Sequence, residues 1–211
     1  MARLLMCLGA ACSLAACDAG VISPLSAAAR RGDLTAIRAL LDAGADPNDA
    51  GDDGTRWPPL MHAVHQRRIE AARLLLARGA DPNRSPNGYT ALMMAAADPD
   101  PAMLTLLLDH GADAEAEGPG GMTALTVAIS GGALTDLHRP LAGGCHPATL
   151  EALLQRVPGL HLPSNRAGRE ARIWAGIHAR VQQLHNIALA LSDGRAPNTT
   201  CHAPLVETDR R

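Results

Sequence analysis

Leu75-Leu76-Ala77-Arg78-Gly79-Ala80-Asp81-Pro82-Asn83 is one of three near-copies of a single phrase. The others are Leu40-Leu41-Asp42-Ala43-Gly44-Ala45-Asp46-Pro47-Asn48 and Leu107-Leu108-Asp109-His110-Gly111-Ala112-Asp113-Ala114-Glu115; the shared glycines lie 35 and 32 residues apart. Self-similarity at that spacing decides the fold, because a period of roughly 20–50 residues belongs to stacked repeats. A second phrase precedes each copy at constant distance: Ser23-Pro24-Leu25, Pro58-Pro59-Leu60 and Thr90-Ala91-Leu92, with a fourth opening at Thr123-Ala124-Leu125. A proline in a first helical turn loses no hydrogen bond, since that N–H has no helical partner. Ile37, Leu40 and Leu41, and again Ile69, Leu74, Leu75 and Leu76, recur at helical spacing. Gly44, Gly79 and Gly111 then stand where a helix ends in the left-handed conformation, and Asn48 and Asn83 are placed to start a turn. One such helix pair cannot hide its apolar faces alone; several stacked pairs bury a continuous core.

These openings and closes resemble those of the ankyrin repeat, with its T-P-L-H start, two antiparallel helices and G-A-D-V-N end. The resemblance covers residues 22–130 well and the remainder loosely. It implies an all-α solenoid of stacked helix-turn-helix pairs joined by hairpin-like fingers, expected over residues 22–198. The fourth copy departs from the pattern, with an inserted loop at 131–147 that carries Arg139, Cys145 and His146 before a second helix resumes at Ala148. Further on, Gly168-Arg169-Glu170-Ala171-Arg172-Ile173-Trp174-Ala175 aligns with Gly88-Tyr89-Thr90-Ala91-Leu92-Met93-Met94-Ala95, and Asp193-Gly194-Arg195-Ala196-Pro197-Asn198 echoes the closing phrase. A degenerate capping repeat is expected there, with Arg172 in place of the core Leu. The alternative is one long amphipathic helix through Ile173, Ile177, Val181, Leu184 and Leu191. Residues 199–211 are expected to form a tail.

Composition agrees with closely packed helices. Hydrophobic residues make up 47% of the 211, yet aromatics are 1% and Phe is absent. The core must therefore be built from Ala, Leu, Ile, Val and Met, which suits close helices better than a sandwich or barrel. The net charge of −2 offers no basic stripe for nucleic acid.

The N-terminus predicts an address and an anchor. Arg3 precedes a short apolar run from Leu4 to Ala16, too short for a permanent membrane helix but suited to a secretory signal peptide over 1–16. Leu14-Ala15-Ala16-Cys17 resembles the lipobox of bacterial lipoproteins. That resemblance implies lipidation of Cys17, a linker at 17–21 and a membrane tether facing the periplasm, with the choice of inner or outer membrane open. Stable anchoring takes two or more chains. Cys145 and Cys201 then remain, and in an oxidising compartment they are a possible disulfide pair.

Ankyrin proteins bind through their fingertips and the concave side of each first helix. Carried onto this chain, the resemblance nominates Arg56 and Trp57, Tyr89 and Met122 at the fingers. Along the first helices it nominates His62, Met94 and Trp174 at the groove position and His65 one turn on. All three aromatics of the chain fall on this side, and Trp, Tyr and Arg dominate interface hot spots. The alternative for Trp57 is that it folds back onto its own lengthened finger. Asp49, Asp52 and Asp53 give that finger an acidic tip, expected to be solvated, without the ligand spacing of a calcium loop.

No G-x-S-x-G elbow, H-E-x-x-H helix or phosphate loop occurs, and Gly118-Pro119-Gly120-Gly121 lacks the lysine that would hold phosphate. Cys145-His146 and Cys201-His202 have the wrong internal spacing for a structural zinc site. No enzyme, metal or cofactor is expected. The reading that results is a monomeric, protein-binding lipoprotein of the bacterial envelope. It would serve either as an immunity protein against a periplasm-acting toxin or as an accessory or scaffold factor for an envelope enzyme or complex.

Overall fold

The structure is a computed structural model describing residues 22–51, 53–130 and 146–173. Cys17, the lipobox, Cys145, Trp174 and Cys201 lie outside the described residues, as does most of the inserted loop.

Eight helices follow one another in pairs: α1 (Pro24–Arg31) with α2 (Leu34–Asp42), α3 (Pro59–His65) with α4 (Ile69–Ala77), α5 (Ala91–Ala96) with α6 (Ala102–Asp109), and α7 (Ala124–Ser130) with α8 (Pro147–Arg156). A final helical stretch occupies residues 166–173. Each first helix packs on its own partner and on the first helix of the next pair, and the second helices stack likewise, so the described chain is an all-α repeat stack.

Side chains start the helices. Ser23, Asp33 and Thr90 accept hydrogen bonds from the amides of Ser26, Ala36 and Met93 at 3.2, 3.0 and 3.2 Å. Each fills an orphan donor of a first turn, worth about 1 kcal/mol. Thr123 and Thr126 cap reciprocally, each hydroxyl accepting the other's amide at 3.3 and 2.9 Å. The repeated glycines stop the second helices as the sequence predicts. Gly44, Gly79 and Gly111 have φ of 89°, 90° and 82°. The next amide in each case, of Ala45, Ala80 and Ala112, donates back to Leu40, Leu75 and Leu107 at 3.0 Å. This is the six-residue closure of a Schellman end.

The closing phrase does more than end a helix. Asp46, Asp81 and Asp113 each accept from the amide two residues on, forming the turn. Asn48 then reaches into the next repeat, donating to Gly79 O at 3.1 Å and accepting from Asp81 N at 2.8 Å. Asn83 repeats both bonds with Gly111 O and Asp113 N. Ion pairs Arg78–Asp42, Arg67–Asp98 and Arg156–Asp109 add further links between neighbouring pairs.

The core is aliphatic throughout. Leu25, Leu60, Leu92 and Leu125 hold one register in the first helices, and Ile37, Ala72, Leu104 and Leu150 another in the second, all buried. Ala28, Ala63, Ala95 and Ala128 are buried between them, and their small side chains let the first helices approach closely. Only Ile37 is buried in α2, whereas α4 and α6 each bury four residues, so the first pair is the exposed end of the described stack.

The last segment differs from its alignment. The helix begins at residue 166, before the Ala171 that the repeat pattern would make its first residue, and Gly168 lies inside it. Asn165 is the cause: its side chain accepts from Gly168 N at 3.0 Å and caps a helix there, while its amide nitrogen donates to Gly121 O at 2.9 Å. The residues that would separate a capping repeat from one long helix, from 174 onward, lie outside the described residues.

Candidate functional site

Three fingers project from the stack ahead of α3, α5 and α7. The second and third are tight. Pro86–Gly88 and Pro119–Gly121 each make one short helical turn, with left-handed residues at Asn87 and Gly88 and at Gly120 and Gly121. The third closes on itself through Gly118 N and Met122 O at 2.7 Å.

The first finger is built otherwise. Asp53 is turned inward, its carboxylate accepting from the amide and hydroxyl of Thr55 at 3.0 and 2.6 Å. Its other oxygen lies 3.4 Å from His62 Nε2, without the geometry of a hydrogen bond. Trp57 covers the same place, its ring 5.6 Å from that of His62, edge to face, and 5.2 Å from that of His65. Finger and helix thus form one cluster of Asp53, Trp57, His62 and His65, beside the exposed Arg30 of α1.

This geometry sets the charges. Burial holds the His62 imidazole below its ordinary 6.5; Asp53 pulls the other way, while Arg30 and His65 reinforce the lowering. Burial would raise the Asp53 carboxyl, but the Thr55 hydrogen bonds, His62 and the Arg56 amide outweigh it and hold it below 3.8. At neutral pH the pair is therefore a carboxylate beside a neutral imidazole.

Several residues nominated as contacts are not on the surface. His62 is 5% exposed, Met94 8% and Met122 5%. The finger roofs His62. Met94 is taken into the seam where α5 packs between α3 and α7, and Met122 turns inward at the base of its finger. Ala97, Val127 and Ser130 are buried as well, so the concave face does not offer side chains evenly along its length. Asp53 likewise leaves the acidic tip, being 13% exposed at its side chain, while Asp49 stays outside. What remains accessible is Arg56, exposed, with Trp57, His65 and Tyr89 half-buried and Arg30 exposed beside them.

A cleft of about 400 Å³ opens between the first two fingers, lined by Arg56, Pro58, Arg84, Pro86 and Asn87 among others. Arg84 Nη2 donates to Asn48 O at 3.1 Å and Asn87 Nδ2 to Thr55 O at 3.2 Å, so both fingers are tied across it. The repeat alignment points to neither Arg84 nor Asn87, because it nominates only the residues beside each helix opening and along the first helices. Among the described residues no three His, Cys, Asp or Glu side chains converge as metal ligands.

No curated protein shows a significant match to this chain. The family model described as ankyrin repeats (3 copies) matches residues 1–86 and 79–154, most of the length. With the helix pairs, glycine closes and fingers in the places that model implies, the chain belongs to the ankyrin-repeat family.

Proposed function

We propose that this chain is a protein-binding ankyrin-repeat lipoprotein of the bacterial envelope, acting as an immunity protein that holds a periplasm-acting toxin in a stoichiometric complex. Ankyrin repeats imply a protein-binding role, and the observation that supports a localised contact surface is the accessible group at the first two fingers. Arg56, Trp57, His65 and Tyr89 stand there on elements held by hydrogen bonds within and between the fingers. Aromatic and Arg side chains on a rigid frame give affinity at low entropy cost. The envelope location rests on the lipobox Leu14-Ala15-Ala16-Cys17. A tethered, pre-organised binder suits toxin capture, which must be tight and must occur where the toxin arrives.

The test is to export the tagged chain and identify co-purifying envelope proteins or a supplied secreted effector by mass spectrometry. A Trp57→Ala/Tyr89→Ala variant runs in parallel. One dominant partner that disappears with the variant supports the reading; a partner that persists moves the contact elsewhere, and no partner from either source sinks it. Labelled palmitate incorporated by the wild type and not by Cys17→Ser tests the anchor separately. Capture of a resident envelope enzyme instead of an effector would favour the accessory or scaffold role.

A further inference from the structure

We propose that the cleft between the first two fingers is a carboxylate-binding subsite that takes an acidic side chain of the protein partner. The inference rests on the protein-binding function above and states the chemistry the partner brings to one place on it.

The cleft is lined by two arginines, Arg56 and Arg84, and neither carries an ion pair among the described residues. Among the described residues, the nearby carboxylates are committed to their own turns: Asp49 to Gly51 N, Asp53 to Thr55, and Asp81 to Asn83 N. Arg84 spends one hydrogen bond on Asn48 O and keeps the other donors of its planar fork. The Asn87–Thr55 bond fixes the spacing of the two fingers at the rim.

A second observation is independent of charge. Arg56 aligns with Gly88 and Gly121 of the other fingers, and all three have positive φ, at 57°, 82° and 75°. The first finger therefore places a long cationic side chain where the others use glycine, in a conformation that disfavours any Cβ. At Gly88 the space is closed, since a Cβ there would come within 3.1 Å of Pro119 Cδ. At the first finger the matching proline, Pro86, faces Arg56 across an open cleft. Strain retained at a polar fingertip, together with a space that the neighbouring finger pair fills, points to an occupant from outside.

The occupant is a carboxylate. Two guanidinium forks provide charge-assisted donors of the right geometry, and Pro58 and Pro86 supply apolar walls for an aliphatic stem. Asp49, Asp53 and Asp81 on the same fingers offset the local positive charge, which favours a single negative charge over a phosphate dianion.

The test titrates the ¹⁵N-labelled exported chain with a capped Ala-Glu-Ala peptide. Parallel titrations use its Gln counterpart, the same Gln peptide with a free C-terminal carboxylate, and inorganic phosphate. The expected result is saturable shifts of the Arg56 and Arg84 Nε–H and Asn87 side-chain signals with the Glu peptide and none with capped Gln. Arg56→Gly should keep an equal or higher melting temperature and lose about tenfold or more in affinity, and Arg84→Gln should lose a similar factor. Equal shifts from the capped Gln peptide, none from the Glu peptide, full binding by Arg56→Gly, or tighter binding of phosphate or the free terminus would each overturn the proposal. If a partner is captured and Arg56→Gly holds it as well as the wild type, the subsite falls while the protein-binding function stands. If the Glu peptide binds but no partner is found from any source, the reverse is true.

Discussion

The first and second fingers make the same connection, from the close of one repeat to the first helix of the next, by opposite means. The second is a short turn relying on Asn87 and Gly88, with no buried side chain and Gly88 close against Pro119. The first runs longer and folds back on its own helix through Asp53, Thr55 and Trp57, burying His62 and leaving Arg56 strained at the tip. The contrast teaches that a repeat fixes where a finger starts and ends, while the residues between decide whether it is a plain turn or a shaped surface.

The sharpest way to break this contrast is to exchange the two solutions. Gly88→Arg should destabilise the chain by about 2–4 kcal/mol, from left-handed strain and overpacking against Pro119. Urea denaturation would measure it, and an unchanged midpoint would show that the second finger has room the structure does not display. Trp57→Ala should cost about 1–2 kcal/mol, less than truncation of a fully buried Trp because the ring is half-exposed. It should also uncover His62, so that the imidazole titration followed by NMR moves up towards 6.5. The converse exchange, Arg56→Gly, should stabilise by about 1 kcal/mol, as relief of left-handed strain outweighs the added freedom of the unfolded chain. A loss of stability would mean that Arg56 holds the finger together.

The smallest effect is on pH. Because His62 is held below 6.5 in the fold, the unfolded chain binds its proton more readily. The resulting stability is full above 6.5 and is lost as pH falls through that value towards the lower folded one. The urea midpoint should therefore drop between pH 7.5 and 5.5, and His62→Gln should flatten that part of the drop. Equal slopes in both proteins would remove His62 from the account. Asp53 acts in the same direction further into acid, below 3.8.

Much of this was legible from residues alone. Leu-Leu-x-x-Gly-Ala-Asp gave each helix end, because a left-handed glycine and an Asx turn are local chemistry that needs no knowledge of neighbours. Asn48 and Asn83 were legible only as turn residues, since their partners lie in the following repeat and appear once the stack is assembled. The burial of His62 is hidden from register for a related reason: its helical position faces the groove, but a finger nine residues upstream comes down over it. Register alone puts Met94 and Met122 outward, because it takes no account of how closely alanine-lined helices approach. The start of the last helix turned on Asn165, a cap outside the aligned phrase.

The stitches made by Asn48 and Asn83 also bear on how the molecule would carry load. The third closing phrase has Glu115 where they stand, a carboxylate that cannot donate to a carbonyl across the seam. Between the third and fourth repeats the described polar links are the exposed Arg156–Asp109 pair and Thr149 Oγ1 to Asp98 O at 2.5 Å. Ion pairs of that exposed kind weaken with salt. Pulled lengthwise, the chain should therefore part first at this seam, earlier in high salt than in low, with the three leading repeats still joined as one body. Held by either end, the stack would keep its first three repeats together the longest.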